Sequence, residues 1–596
     1  MDRRSFLGSS LIPLLAGACA TPAADTGSPS SSSPQAAGSS ERAGVLDAMR
    51  RAVRYMDEQV SYRGGYVWAW LPDLSLSWGE MEAKRSMCWI QPPGTPAVAH
   101  AFIDAWQAAG DPVFRVAAER AADALVAAQL PCGGWNYIHD FAGEDSLRHW
   151  YDTIGRNGWR LEEFQHWYGN ATFDDAVSSS AACVLLRVYQ AWGSERFRAP
   201  LARAIDFVLA AQYSGGIADG GWPQRWPRVP GTAVMKPPYG LPRGARGGME
   251  DGDYTAHVTW NDDVAGENIR FLLLCHLTMD DPRLAPAIRR GMDCMARMQQ
   301  PAPQAGWGLQ HLAKAAGGRP AGAIAAARSY EPRAFATHTT ATNIRQLCEF
   351  YRLSGDERYL ARIPEAIDWL KRCALPEKVL AENPLLKGRT HPTFVDEGSN
   401  RARYVHRYGS NVHNGAYYSD HDHRDTLSHY SAGRMLKLDA LEAEYQALRA
   451  LAPEARQALK DNSPLLQRGK GRLPRFFGFG RQSLMDAAEG REDLPALTDE
   501  AVAGLLKSLG TRDYWLAPLP AVTNPYRGDG PRKAHGGREY MSRNVGDIYD
   551  TSPYDAANPP EIAPYVKRER PEGIVSQDFT RKLGQLTAWL ARQPGA

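Results

Sequence analysis

The chain has 596 residues, 43% hydrophobic, 23% charged and 10% aromatic, which is material for several buried cores and too apolar for a chain disordered throughout. Sixty-nine Lys and Arg against sixty-seven Asp and Glu leave a formal charge of +2, so no general attraction to nucleic acid is expected and a polyanion must be held by a local patch. Beyond the first twenty residues no apolar run approaches the roughly 18 residues that a membrane-spanning helix needs, which sets aside a transporter or channel.

The N-terminus reads as an address. Arg3 and Arg4 precede a short apolar stretch that ends in small residues at Cys19, the pattern of an export signal over residues 1–19. With Phe6 and Leu7 the pair resembles a twin-arginine signal. Leu15-Ala16-Gly17-Ala18-Cys19 resembles a bacterial lipobox with its leucine one place early, in which Cys19 would be lipidated. Residues 20–43, rich in Ser, Pro, Ala and Gly, are expected to form a flexible linker. The expectation is an exported monomer, periplasmic or an outer-membrane, cell-surface lipoprotein, touching a membrane only through its anchor. Seven further cysteines make no CxxC pair, which excludes zinc ribbons and thioredoxin-like motifs, and most sit among apolar neighbours as small core hydrophobes.

A unit then recurs: an apolar helix-like segment, a Gly/Asp turn, an Ala-rich amphipathic segment and a Gly/Trp loop. Four copies carry turn landmarks at Gly110, Gly193, Asp280 and Gly355. Ala204, Ile205, Val208 and Leu209, at three-four spacing, put one face of a second helix against a neighbour. Such hairpins cannot bury themselves alone, so an all-α fold is predicted: an (α/α) toroid or incomplete α/α barrel over residues 44–435, with a helix over 46–60 as an additional wall. From 436 the pattern changes, and residues 436–596 read as a C-terminal extension that packs on the toroid and closes it, ending in a helix near 575–592. Arg468, Lys470, Arg472, Arg475 and Arg481 there either extend a groove for an anionic sugar or belong to a packed arm.

The loops between hairpins exceed the usual connection length, and long loops commonly carry function. Asp174-Asp175, Asn261-Asp262-Asp263 and the stretch from Arg328 to Glu331 stand at equivalent places ahead of first helices, so a toroid would gather them on one rim. Each aspartate could instead cap the helix that follows. Carboxylates that meet repel one another and call for a cation, and an oxygen-only set suits calcium. Trp222 and Trp226 flank Pro223-Gln224-Arg225 in a Gly/Pro loop, where stacking on sugar rings is an alternative to burial.

TFDDAVSSSAACVLLRVYQ, AAQYSGGIADGGWPQRWP, HVTWNDDVAGENIRFLL, GWGLQH and ARSYEP, in that order, resemble the pectate lyases of polysaccharide lyase family 10, and TFVDEGSNRARYVHRYG resembles that family's late arginine segment. The resemblance covers about residues 165 to 418. It implies a lyase that cleaves pectate, an acidic polysaccharide, by calcium-assisted β-elimination. Asp174 and Asp262 match the calcium-site positions, Arg328 the Brønsted base, and Arg401 and Arg407 the groups that grip substrate carboxylates. Trp222, Gln224, Arg225, Trp307 and Tyr330, in the matching loops, are carried over as substrate-binding residues. This chain departs from the family in reading Asp175-Ala176-Val177-Ser178 where Asn-Gly-Ala-Thr is common, in Asp263 after Asp262, and in an insertion over 228–253. His413, His421 and His423 are spaced poorly for one tetrahedral metal site and are expected to face solvent. Two other readings stand beside the lyase: a glycoside hydrolase on the same toroid, using two carboxylates and a water, and a surface lipoprotein that binds polyuronate without cutting it.

Overall fold

The computed structural model describes residues 34–152, 170–228, 246–247, 254–328, 330–383, 386–408, 416–424, 426, 432–479, 483–491, 494–519 and 572–593. The export signal with Cys19, most of the 228–253 insertion, His413 and Arg481 lie outside the described residues.

Helix α1 (Pro34–Tyr55) begins inside the stretch read as linker and supplies most of the wall expected over 46–60. Four hairpins follow: α2 (Thr95–Ala109) with α3 (Pro112–Ala128), α4 (Val177–Trp192) with α5 (Arg198–Ala211), α6 (Val264–Thr278) with α7 (Leu284–Arg297), and α8 (Thr337–Ser354) with α9 (Ile363–Arg372). The turn landmarks hold, since Gly110, Gly193 and Gly355 each end a first helix in the left-handed conformation. The C-terminal region adds α10 (Leu438–Arg449), α11 (Leu484–Glu489), α12 (Asp499–Leu509) and α13 (Ser576–Ala591). Among the described residues no helix is long and apolar enough to cross a membrane.

The last helix is part of the ring. It occupies the place of a first helix, with Phe579 edge-on to Phe102 of α2 at 6.0 Å, and α1 is its second helix, Arg42 donating to the Leu590 carbonyl at 3.4 Å. The two described ends of the chain therefore make one hairpin, and the ring extends past the boundary expected at 435.

Short strands frame each hairpin. One strand precedes the first helix, and its antiparallel partner follows the loop behind the second. Thus β1 (Ala69–Trp70) behind α1 pairs with the strand that leads into α13, β2 (Met87–Trp89) pairs with β3 (Ile138–Asp140), and β4 (Ala171–Thr172) with β5 (Arg225–Trp226). Likewise β6 (Val258–Thr259) pairs with β7 (Gln310–His311), and β8 (Phe335–Ala336) with β9 (Phe394–Val395). A longer pair, β10 (Ala402–Tyr408) and β11 (Ala416–Asp420), extends the last sheet, and Arg246–Gly247 of the insertion adds to its edge. The strand before α13 is β12 (Glu572–Val575).

The loops behind the second helices are built alike. Trp135, Trp222 and Trp307 are completely buried, and each indole N–H donates to a carbonyl of its own second helix: Leu125 at 2.8 Å, Val208 at 2.9 Å and Met295 at 3.1 Å. Gln129, Gln212 and Gln299 staple each hairpin to the next. Each amide donates both to its own loop, at Gly133, Gly220 or Ala305, and to the neighbouring hairpin, at Pro200, Ala287 or Arg362. Gly133 and Gly220 have positive φ, and a Cβ there would lie 2.2 and 2.0 Å from the carbonyl oxygens of Arg203 and Arg290, so only glycine lets the loop approach the next helix.

The opposite end of the ring is sealed by the basic arm. Gly469 and Gly471 N–H groups donate to the His276 and Leu277 carbonyls at the end of α6, and Ser463 Oγ donates to Leu353 O near the end of α8, satisfying carbonyls that a helix terminus leaves without partners. Further on, Phe477 and Gly478 N–H groups donate to the buried Asp104 carboxylate, which also holds Arg187 Nη2 at 2.6 Å, and the Phe477 ring lies 4.2 Å from the Arg187 guanidinium. Arg187 is ten residues, about 15 Å, from the start of α4. The groove reading of Arg468, Lys470, Arg472 and Arg475 is thereby corrected: they belong to an arm packed at the end of the ring away from the rim loops.

Candidate active site

The site forms where first helices begin. Thr172-Phe173-Asp174-Asp175-Ala176-Val177 and Thr259-Trp260-Asn261-Asp262-Asp263-Val264 occupy equivalent places ahead of α4 and α6. In each, two consecutive residues are left-handed: Asp175 and Ala176 at φ 49° and 56°, Asp262 and Asp263 at φ 51° and 56°. Residues other than glycine hold this conformation at a cost of roughly 1–2 kcal/mol each, so a paired occurrence in both copies marks a place where the surrounding fold dictates the backbone. The pair lifts the aspartates away from capping geometry, and neither helix start has a side-chain cap. Capping is therefore not the role of Asp174 or Asp262.

Oxygens of Asp174, Asp175 and Asp262 come within 4.8 Å of one another. Asp174 is buried, the other two half-buried, and the donor set is oxygen alone, as a hard cation such as calcium requires. Asp175 was not assigned in sequence. Aligning the two copies would have found it, because Asp175 falls opposite Asp262, while Asp174 falls opposite the buried Asn261.

Arg328 is completely buried and lies against this cluster. Its Nη2 donates to Asp174 Oδ2 at 2.6 Å and its Nη1 to Glu331 Oε1 at 3.0 Å, while Glu331 Oε2 accepts the Arg328 backbone N–H at 3.2 Å. A buried guanidinium without such partners would be strongly destabilising. Two further groups hold Asp174: the Tyr137 hydroxyl donates to Oδ2 at 2.5 Å and Gln224 Nε2 to Oδ1 at 2.6 Å. Gln224 Oε1 accepts from Gln310, whose own carbonyl oxygen accepts from Thr259. The Arg225 guanidinium sits 5.0 Å from the centre of the Tyr137 ring. At the other edge, Gln91 Nε2 donates to Asp175 Oδ2 at 2.6 Å. Tyr137 and Gln91 come from the first hairpin unit and went unnoticed in sequence.

The expected substrate-binding residues fare unevenly. Trp222 and Trp307 are core residues, so stacking on sugar is corrected to burial: the loop folds each indole back onto its own second helix. Tyr330 is likewise buried, packed with Phe394 and Val405. Gln224 and Arg225 are buried behind Asp174 and Tyr137, where they support the cluster rather than line an open cleft. Arg401 is exposed, beside a turn pinned to α9 by the Trp369 indole donating to Asn400 Oδ1 at 2.8 Å, and no described contact joins it to Arg328. Arg407 lies on β10, and its side chain is outside the described residues. His421 and His423 face different carboxylates, Asp396 and Glu382, each at 3.5 Å, and do not share a site.

Residues 151–340 match the family model of pectic acid lyase. Among solved structures the chain is similar to a family 10 polysaccharide lyase from Cellvibrio cellulosa, at 15% identity over 57% of this chain and 90% of that one, with a TM-score of 0.30. A mutant of that enzyme, in complex with trigalacturonic acid, matches at the same identity and coverage with a TM-score of 0.31. A glycoside hydrolase family 76 mannosidase from Bacteroides thetaiotaomicron is similar at 10% identity over 56% of this chain and 73% of that one, TM-score 0.33. No curated protein matches the chain. The matched span holds Asp174, Asp262 and Arg328, and it leaves Tyr137 and Gln91 outside.

Proposed function

We propose, on the pectic acid lyase match over residues 151–340 and the cluster it contains, that this protein is a polysaccharide lyase cleaving a uronic-acid glycan, with pectate the first substrate to test. The observation that carries the reading is a buried Arg328 sharing Asp174 with a three-carboxylate, oxygen-only cluster. In β-elimination the bond from carbon 5 to hydrogen breaks, its electron pair becomes the carbon 4–carbon 5 double bond, and the carbon 4 oxygen leaves with the pair of its own bond and takes up a proton from solvent to become a hydroxyl. No water is consumed. Asp174, Asp175 and Asp262 would hold calcium, which when bound supplies positive charge against the uronate carboxylate.

Arg328 takes the proton in this scheme. Paired with Asp174 and Glu331, it rests as a guanidinium, so only a small deprotonated fraction is competent and the rate should climb with pH into the alkaline range. Once protonated, the guanidinium returns to a pocket already matched to its charge, without reorganisation. Incubation with polygalacturonate should give rising ultraviolet absorbance from an unsaturated uronide, abolished by chelator and lowered about a thousandfold or more in Arg328→Ala. New reducing ends without absorbance would instead identify a hydrolase, and capture of polymer without either signal a binding protein. Export with Cys19 lipidation is proposed on residues 1–19 alone. Radiolabelled palmitate should enter the parent protein in a bacterial host and not Cys19→Ser; label absent from both would remove the anchor.

A further inference from the structure

Three successive hairpin units place a polar side chain at one register of the rim. Trp89 pairs with Ile138 as Thr172 does with Arg225 and Thr259 with Gln310, and two residues on from each stand Gln91, Asp174 and Asn261. All three are buried, and the two amides turn their N–H groups on the half-buried aspartates of the cluster: Gln91 Nε2 donates to Asp175 Oδ2 at 2.6 Å, and Asn261 Nδ2 to Asp262 Oδ2 at 2.8 Å. The Gln91 amide is held one way round. Its Oε1 accepts the Trp89 indole N–H at 3.1 Å, and an indole only donates, so the amide hydrogens are committed to the far side. There a second carboxylate shares them: Glu80, 2% exposed, accepts from Nε2 at 3.4 Å. Trp89 in turn is fully buried, its ring edge-on to Trp150 at 5.9 Å.

We propose that Gln91 is a positioning residue of the elimination site: it acts through Asp175, fixing that carboxylate of the oxygen-only cluster in the direction a cation requires. This rests on the lyase reading and on the calcium which that reading brings to Asp174, Asp175 and Asp262. Three carboxylates with oxygens within 4.8 Å of one another repel, and a half-buried Asp175 relieves the repulsion by turning toward solvent. A hydrogen bond from a buried donor that points only one way opposes that turn before any ion arrives, so the ion meets a geometry already set. Glu80, in the turn between the paired Ser77–Trp78 and Glu82–Ala83, anchors the same amide. The first hairpin unit thus shapes the site through a neutral group, although Asp174, Asp175 and Asp262 all come from the next two units.

The test is calorimetric titration of the full chain with calcium, in the absence of polysaccharide, for the parent, Gln91→Met and Gln299→Met. Gln91→Met keeps the length of the side chain and loses the donor, so Kd should rise about tenfold or more. Gln299 is an equally buried glutamine that donates to the Ala305 and Arg362 carbonyls, so its variant should lower the melting temperature in chelator and leave Kd within about threefold. If Gln91→Met fails to fold, Gln91→Asn, polar but too short to reach, carries the same test. A Kd unmoved in the Gln91 variant, or raised equally in Gln299→Met, would overturn the positioning role. Ultraviolet absorbance on polygalacturonate, read on the same preparations, tests the lyase reading separately. A parent that is inactive or takes up no calcium would remove that reading and the proposal with it, whereas an active, calcium-binding parent with an unchanged Gln91→Met would remove the positioning role alone.

Discussion

Ala176 holds a left-handed conformation that glycine reaches freely, immediately beside a cluster that depends on the direction of Asp175. Ala176→Gly should therefore relieve strain and raise stability by up to about 1 kcal/mol, read as the denaturant midpoint, while loosening the cluster, so that a titration of the proposed calcium site should give weaker binding than in the parent. His311 shows the opposite economy. Burial pushes it down to about 3, and the Gly308 N–H donating to Nε2 at 3.0 Å fixes the neutral form, with the proton on Nδ1 facing the Gly322 carbonyl at 2.9 Å. The unfolded chain protonates this imidazole near its ordinary 6.5 while the fold resists until about 3. Stability is thus complete above 6.5 and lost as pH falls through that window, by on the order of 5 kcal/mol. His311→Gln should flatten the acid side of a plot of melting temperature against pH; an unchanged slope would acquit His311. Arg328, Asp174 and Asp262 stood out in sequence as charged groups at equivalent places of the rim loops, but capping was the ordinary reading of each aspartate alone, and the roles given to all three came from the resemblance to the pectate lyases. Trp222 and Trp307 were misread because loop composition says nothing of a ring folding back onto its own helix.

The helical hairpin was legible because its apolar period persists over roughly three to five turns in each helix. The strands that frame it were not, since two-residue strands are too short for an alternation to show. The glutamine staple was present in plain view: Gln129, Gln212 and Gln299 recur with the spacing of the turn landmarks, but a lone polar residue at the end of an apolar run reads as surface. Gln212→Ala removes the donor to two carbonyls in one step. It should cost about 2–3 kcal/mol, seen as a lower midpoint with an unchanged slope in urea.

At the scale of the whole ring, stability depends on parts that the pectic acid lyase match does not include. Removal of residues 572–596 strips α2 and α1 of their partner and β1 of its pairing strand, and should leave no cooperative unfolding transition by circular dichroism. At the other end, Asp104→Ala leaves Arg187 buried against Phe477 without its carboxylate, for which a loss of about 3–5 kcal/mol is expected in chemical denaturation. The toroid class followed from the repeat, and the extension was expected to close it. That the closing hairpin draws one helix from each end could not be read locally, because α1 and α13 carry no shared motif and meet only through packing.

That hairpin also sets an order of events during synthesis. Val45, Met49 and Val53 of α1 are all buried in the finished ring, yet the helix that completes their surroundings is made more than 500 residues later. At about 5–20 residues per second the ribosome needs roughly half a minute or longer to deliver it. Throughout that interval α1 is a helix with an apolar stripe and part of its surroundings missing, a natural client for chaperones, and the ring can close only once α13 has left the ribosome.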